Sequence, residues 1–228
     1  MSRDSTASFL GTANACALLA QSVSTSVCFP KPLERSTETI PVLVTVPNNN
    51  VCAVNPSLCT DGVVNKPDNG WPVAIFQHGI TRNRTDMLAV APALASAGFV
   101  VVAIDMPLHG VTNNSANPAT NPFYRNQVLT AGAPALVTGE RTFDLDLLDN
   151  TPDTANPCLA SNNQPDTAID SSGTHFLNLS SLITSRDNLR QAEVDIIELA
   201  RAMSNLDLDS TVGAPVATDI DETRIHFV

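Results

Sequence analysis

The sequence has little of the positive charge that several large protein classes need. Lysine is present only as Lys31 and Lys66, and 12 basic residues stand against 23 acidic ones, for a formal net charge of −11. Nucleic-acid-binding proteins carry a basic footprint, so this balance argues against a nucleic-acid partner. It also argues against electrostatic docking on anionic lipid. No run of about 18 apolar residues occurs, so we expect no transmembrane segment.

The cysteines lack the spacing that is typical of zinc sites. There are five, with no C-x-x-C pair and no neighbouring histidine, so we do not expect a zinc site on them. We also expect no other metal and no cofactor. Cys52 and Cys59 flank a short loop that a disulfide would close, Cys16 and Cys28 form a similar pair, and Cys158 is left over. Disulfides would indicate an oxidising compartment. The alternative is that some of these cysteines are buried thiols.

The stretch Pro72–Gly110 organises the rest of the chain. Pro72–Gln77 and Phe99–Asp105 are apolar on both faces, which predicts two neighbouring strands of a parallel sheet. Between them Met87–Ala97 is rich in Ala and Leu, which favours a helix, and Gly98 follows as its C-cap. Together these elements predict a right-handed βαβ unit and hence an α/β fold.

A polar loop, His78-Gly79-Ile80-Thr81, follows the first of these strands. Ligand sites in open α/β sheets lie at the carboxyl ends of strands, and glycine permits a sharp turn there, so Gly79 marks a candidate site. Arg82 and Arg84 come next, and we expect them either to pair with Asp86 or Asp105 or to be solvated. Pro92 interrupts the predicted helix, which therefore begins near Pro92 or bends there.

Other segments predict further elements. Ile40–Val46 alternates as a strand, and Arg186–Asn205 carries an amphipathic stripe that predicts a sheet-covering helix with a capping-box-like start at Thr184 and Asp187. A helix is expected within residues 1–30 and a strand at Arg224–Val228. The apolar stripe of the helix predicted at Arg186–Asn205 comprises Leu189, Ala192, Ile196, Leu199 and Met203.

The long connection Val111–Ser172 exceeds a normal crossover, which favours a functional insertion or a disordered one. Within it Phe143–Leu148 alternates and predicts a short strand or hairpin. Its aspartates, with Asp149, suggest either a calcium loop or a solvated strand face, and the missing Gly and Glu of an EF-hand favour the latter. We therefore predict an N-terminal helical or irregular segment at 1–39 and a partial domain at 40–228, with the insertion at about 111–172.

Four segments occur in an order that resembles the bacterial extracellular lipase family of α/β-hydrolases, which includes outer-membrane lysophospholipases. They are QHGITRNR, AIDMPLHG, SRDNLRQAEVDIIELARAM and RIHFV, within residues 40–228. The resemblance implies a mostly parallel sheet with flanking helices and hydrolysis of carboxylic esters, mainly lipids, through an acyl-serine. It also implies an extracellular or outer-membrane location, which the scarcity of lysine and abundance of Asn, Thr and Ser favour. No convincing signal peptide opens the sequence, so we expect the natural N-terminus to lie upstream.

The resemblance also implies roles for particular residues. Gly79 and Ile80 correspond to the oxyanion-hole loop, with the N–H of Ile80 as the main donor, and His78 supports that loop. His109 and Leu108 would line the substrate pocket. His78 and His109 could form a metal site if His175 or Asp105 supplied a third ligand. The favoured interpretation is that His109 is part of the pocket wall.

The nucleophile elbow G-x-S-x-G of this family occurs nowhere in the sequence. The resemblance implies that it follows Val228, so that the catalytic triad lies beyond this N-terminal portion and the chain alone is inactive. Ser115 and Ser172 do not stand at a strand-to-helix elbow. One alternative among hydrolases is an esterase or peptidase that acts on small substrates. An alternative of another class is a non-catalytic binding or surface-interaction domain. An exposed sheet edge also predicts self-association.

Overall fold

The computed structural model describes residues 37–112, 123–124, 139–149, 165–208 and 219–228. Four strands form a main sheet in the order β1-β5-β4-β6: β1 (Val42–Thr45), β4 (Trp71–Phe76), β5 (Val100–Ile104) and β6 (Ile220–Phe227). A separate hairpin pairs β2 (Cys59–Thr60) with β3 (Val63–Val64). Because β4 is parallel to both β5 and β6 while β1 is antiparallel to β5, the sheet is mixed and mostly parallel. It is compatible with the predicted α/β class.

Both faces of the central strands are covered. One face packs against a helix through Leu199 and Met203, and the other packs against Met87 and Ala91. All five residues of β5 are buried. The double coverage explains why the two central strands read as continuous apolar runs instead of alternating ones.

Two α-helices lie within the described ranges, α1 (Ala91–Ser96) and α2 (Leu182–Ala202). Short 3₁₀ turns occupy four further segments: Asn49–Ala53, Pro56–Leu58, Arg84–Ala89 and Met203–Asn205. The helix predicted over Met87–Ala97 is therefore split into a 3₁₀ turn and α1. Pro92 lies in the first turn of α1, so the helix begins near Pro92 and does not bend there. Gly98, with φ 85°, follows the end of α1.

Helix α2 begins earlier than its sequence pattern predicts. Its N-cap is Ser181, whose side-chain oxygen accepts the N–H of Thr184, so the predicted capping box at Thr184 and Asp187 is wrong. Ala192 and Leu199 of the predicted stripe are buried, but Leu189 is 50% exposed. The covered face of the helix is thus narrower than the stripe.

Three other predictions differ from the structure at their boundaries or entirely. No strand forms at Phe143–Leu148, where Phe143 and Asp144 instead have φ 55° and 50° in a turn. Strand β1 is shorter than Ile40–Val46, and β6 begins four residues before Arg224.

The disulfide Cys52–Cys59 is present.

Several predictions fall on residues outside the described ranges: the helix within residues 1–30, Ser115, and the cysteines at 16, 28 and 158. No helix in the described ranges has the length and apolar character that spanning a membrane would require. Among the same residues, no group of three or more His, Cys, Asp or Glu side chains is arranged to hold a metal. Asp146 accepts the backbone N–H groups of Asp166 and Thr167 at 3.1 and 2.8 Å.

Candidate active site

The loop that follows β4 is held by a buried histidine. His78 is 3% exposed; its Nδ1 lies 2.8 Å from the carbonyl oxygen of Gly79, and its Nε2 lies 3.1 Å from the N–H of Met106. Since Nε2 accepts the Met106 N–H, Nδ1 carries the proton and donates to Gly79. His78 therefore joins the loops that follow two adjacent parallel strands, at the edge where α/β sheets place their sites.

A tight turn follows His78. The N–H of Arg82 donates to the carbonyl of Gly79 at 3.1 Å, which places Ile80 and Thr81 at the two central positions. Thr81 has φ 71°, whereas Gly79 is not among the positive-φ glycines. The sharp bend that the sequence suggested at Gly79 is thus taken by Thr81, two residues later.

A second buried histidine holds Thr81 in this conformation. His109 is completely buried, its Nε2 accepts the N–H of Thr81 at 3.1 Å, and its Nδ1 donates to the carbonyl of Pro107 at 2.9 Å. Its ring packs edge-on against Phe176, with centroids 4.8 Å apart. A Cβ at Gly173 would lie 2.3 Å from His109 Nε2, so glycine is required there.

These contacts bear on the residues expected to line a pocket. His109 contacts the loop through the backbone N–H of Thr81, which its Nε2 accepts. The Nε2 of His78 likewise accepts a backbone N–H, that of Met106. Leu108 is half-buried with φ 63°, and its carbonyl accepts the N–H of Gly173. The pocket role of Leu108 and His109 stays a prediction.

Burial keeps the His109 ring neutral. Desolvation lowers the pKa of His109 to about 4; the bond to Pro107 opposes this, while nearby His78 and Arg141 add to the lowering. A neutral ring is what the contact requires, because protonated Nε2 has no lone pair to accept the Thr81 N–H.

The stability of the chain should therefore fall in mild acid. In the unfolded chain His109 binds a proton near its ordinary pKa of 6.5, but in the folded chain only near 4, so its contribution is lost as pH falls through that window. We expect a loss of about 1–2 kcal/mol between these two pH values. Urea unfolding at pH 7 and 4.5 measures this. His109→Gln, which keeps an acceptor but does not titrate, should show the smaller loss; equal losses would refute the assignment.

A buried ion cluster anchors the far end of the loop. We call Arg84, Asp105, Glu140, Arg141 and Asp195 the Arg84 cluster. The Arg84 guanidinium pairs with Asp105 and, at 2.6 and 2.9 Å, with both oxygens of Glu140, and the Arg84 N–H donates to Asp105 Oδ1. Asp105 is 0% exposed and Glu140 2%.

The cluster continues to α2. Arg141 donates to the carbonyl oxygen of Asp105 and, at 2.6 Å, to the carboxylate of Asp195. Burial disfavours the Arg84 charge, but hydrogen bonds and attraction from Glu140 and Asp105 outweigh it and raise the pKa of Arg84. The loop, the insertion and the helix therefore share one network of buried charges.

Of the two arginines considered from the sequence, both have carboxylate partners. Arg82 pairs with Asp86 on the surface, and Arg84 pairs with Asp105 in the interior. Sequence reasoning did not identify Glu140 of the insertion as a partner of Arg84, or Arg141 as a partner of Asp105 and Asp195. The one available signal is composition: residues 111–143 contain a single other charged residue, Arg125.

Two backbone donors remain on this anchored loop. Within the described ranges, the N–H groups of Gly79 and Ile80 donate to no protein acceptor, and both residues are exposed. Ile80 itself is 45% exposed. Two successive N–H groups on a loop held at both ends are suited to bind a negatively charged oxygen.

The end of β6 lies beside the same loop. The N–H of Gln77 donates to the carbonyl of Val228, and the N–H of Val228 donates to the carbonyl of Ile75, both at 2.9 Å. Because β6 is parallel to β4, its carboxyl end reaches the sheet edge that carries His78.

Comparison with known families gives one finding. Residues 39–117 match the model of the family described as platelet-activating factor acetylhydrolase, isoform II. The matched range contains β1, the βαβ unit and both strand-end loops, about a third of the chain. Neither the curated proteins nor the solved structures give a significant match. The chain is thus similar over this range to a family of carboxylic ester hydrolases with a lipase-like α/β fold.

Proposed function

We propose that this chain supplies the oxyanion hole of a serine ester hydrolase with an α/β-hydrolase fold. The observation that carries the proposal is that the exposed residues Gly79 and Ile80, on the loop after β4, have backbone N–H groups without an acceptor among the described residues. The similarity of residues 39–117 to an acetylhydrolase family supports the same reaction class.

The chemistry follows from where charge develops. When a serine oxygen attacks an ester carbonyl, the C=O electron pair moves to oxygen, which becomes a tetrahedral oxyanion. The carbonyl reforms as the alkoxide leaves, and water then hydrolyses the acyl-serine. Preorganised N–H groups stabilise the oxyanion, and the loss of one costs about 10²–10³ in kcat. In our proposal Ile80 N–H is the main donor and Gly79 the second, while His78 and His109 position them.

The nucleophile would come from residues that follow β6 in a longer polypeptide. The support is positional: Val228 is hydrogen-bonded to Gln77, so the chain leaves β6 directly beside the oxyanion loop. In the order of α/β-hydrolases, the acid and the histidine come later still. The present chain would then be the N-terminal portion of the enzyme, without hydrolytic activity of its own.

The proposed substrates are lipid esters. The support is the matched family, which is named for platelet-activating factor, together with the resemblance to lipases. The disulfide Cys52–Cys59 and the composition support a secreted or outer-membrane-associated location.

The experiment compares two lengths of polypeptide. The coding sequence beyond Val228 is read and the longer protein is purified alongside the 228-residue chain. We expect a G-x-S-x-G within a few residues, p-nitrophenyl ester hydrolysis by the longer protein only, and its loss after fluorophosphonate treatment. A continuation without a serine motif would favour the non-catalytic binding domain. Fluorophosphonate-sensitive hydrolysis by the 228-residue chain would overturn the proposed location of the nucleophile.

A further inference from the structure

A cleft of about 400 Å³ lies at the sheet edge opposite the oxyanion loop. Its walls are the end of β1, the 3₁₀ segment at Asn49–Ala53 and helix α1. Thr45 pairs with Val101 near the start of β5, whereas Val42 pairs with Ile104 near its end. The cleft is therefore separated from His78 by the length of the strands.

The lining of the cleft is mostly apolar and contains no charged side chain. Seven apolar residues and four uncharged polar residues form it: Val46, Val51, Val54, Leu88, Ala91, Pro92 and Ala95, with Thr45, Asn48, Asn50 and Ser96. Its size and composition are those of small-molecule sites, which are mostly apolar with a few polar groups. With no charged side chain in the lining, a buried ionic group would have no counter-charge.

The walls are fixed before any ligand arrives. The disulfide Cys52–Cys59 closes the loop that carries Val54 and that begins directly after Val51. Asn55 Nδ2 donates to the carbonyl of Ser96 at 2.9 Å, which ties this loop to α1. A preformed apolar cleft binds with less ordering cost than one that must form on binding.

One polar atom in the wall has no partner. Thr45 Oγ1 is buried and makes no hydrogen bond within the described part of the chain. Buried hydroxyls are nearly always paired, so an orphan in a cleft wall needs a reason. A change of the Thr45 rotamer would be needed to bring this hydroxyl to a ligand oxygen.

We propose that this cleft binds the alkyl or acyl chain of a single-chain lipid whose polar group is an uncharged hydroxyl or ester. A methylene occupies about the volume of a water molecule, roughly 30 Å³, so the cleft accommodates about a dozen carbons. Thr45 meets the oxygen of the ligand. This site is distinct from the oxyanion loop and does not depend on the proposed hydrolase function.

The probe is 1-decanol, titrated into the ¹⁵N-labelled 228-residue chain. We expect saturable shifts at the amides of Val51, Val54 and Ala95. Ala95→Phe, which fills the cleft, should weaken binding at least about tenfold. Ala93→Phe is the matched control, because Ala93 is exposed on α1 and outside the lining; it should bind like the parent. Thr45→Val should weaken decanol binding about threefold to tenfold.

Three results would overturn the site: shifts that do not saturate, Ala95→Phe that binds as tightly as Ala93→Phe, or equal affinity for decyltrimethylammonium. Unchanged affinity in Thr45→Val would overturn the assignment of the hydroxyl. Ile80→Pro should leave decanol binding intact, so failure of this proposal is distinguishable from failure of the oxyanion hole.

Discussion

Replacement of Arg84 by methionine is expected to lower the free energy of unfolding by about 3–5 kcal/mol. Asp105 and Glu140 are 0% and 2% exposed, and the Arg84 guanidinium is bonded to both. Without it, two buried carboxylates lose the guanidinium that is bonded to both of them. Leaving a buried charge uncompensated costs far more than a surface ion pair contributes.

Arg82→Met is the matched control for this variant. Arg82 also pairs with a carboxylate, Asp86, at 2.7 Å, but its side chain is 64% exposed. Solvent replaces that interaction, so the urea midpoint should change little. The measurement is equilibrium urea unfolding of the parent and both variants. Equal midpoints for Arg82→Met and Arg84→Met would contradict the account of the Arg84 cluster.

The part of the fold that could be predicted from sequence rests on local patterns. The strands at 71–76 and 100–104 are apolar throughout because both sheet faces are covered, and Gly98 marks the helix end through its left-handed φ of 85°. Cys52 and Cys59 are so close in sequence that their pairing requires only a short loop. Each of these signals is contained within a few residues.

Contacts between distant segments could not be predicted in the same way. Glu140 bonds to Arg84 across 56 residues of sequence, and Arg141 bonds to Asp195 across 54. Nothing in the immediate sequence of Glu140 or Arg141 indicates these contacts. The bond from the Thr81 N–H to His109 Nε2 joins residues 28 apart, and the sequence gives no local sign of it. The alternation at Phe143–Leu148 was misleading because the segment forms a turn, in which Asp146 accepts the N–H groups of Asp166 and Thr167, 20 and 21 residues away.

The second large effect is expected at Ile80. Ile80 occupies the first central position of the turn closed by Arg82 N–H and Gly79 O, a position that proline favours. Ile80→Pro therefore keeps the turn and removes only the backbone N–H. Ile80→Ala removes the exposed side chain and keeps the N–H. If Ile80 N–H binds the oxyanion, only the proline variant loses its transition-state stabilisation.

The most direct test of the oxyanion loop is the kcat of these two variants in the longer polypeptide that our proposal requires, with p-nitrophenyl butyrate as substrate. Circular dichroism and urea midpoints confirm that both are folded. We predict that Ile80→Ala retains kcat within about twofold, and that Ile80→Pro loses about 10²–10³ in kcat with little change in KM. A folded Ile80→Pro enzyme with the kcat of Ile80→Ala would contradict the assignment of Ile80 as the main donor.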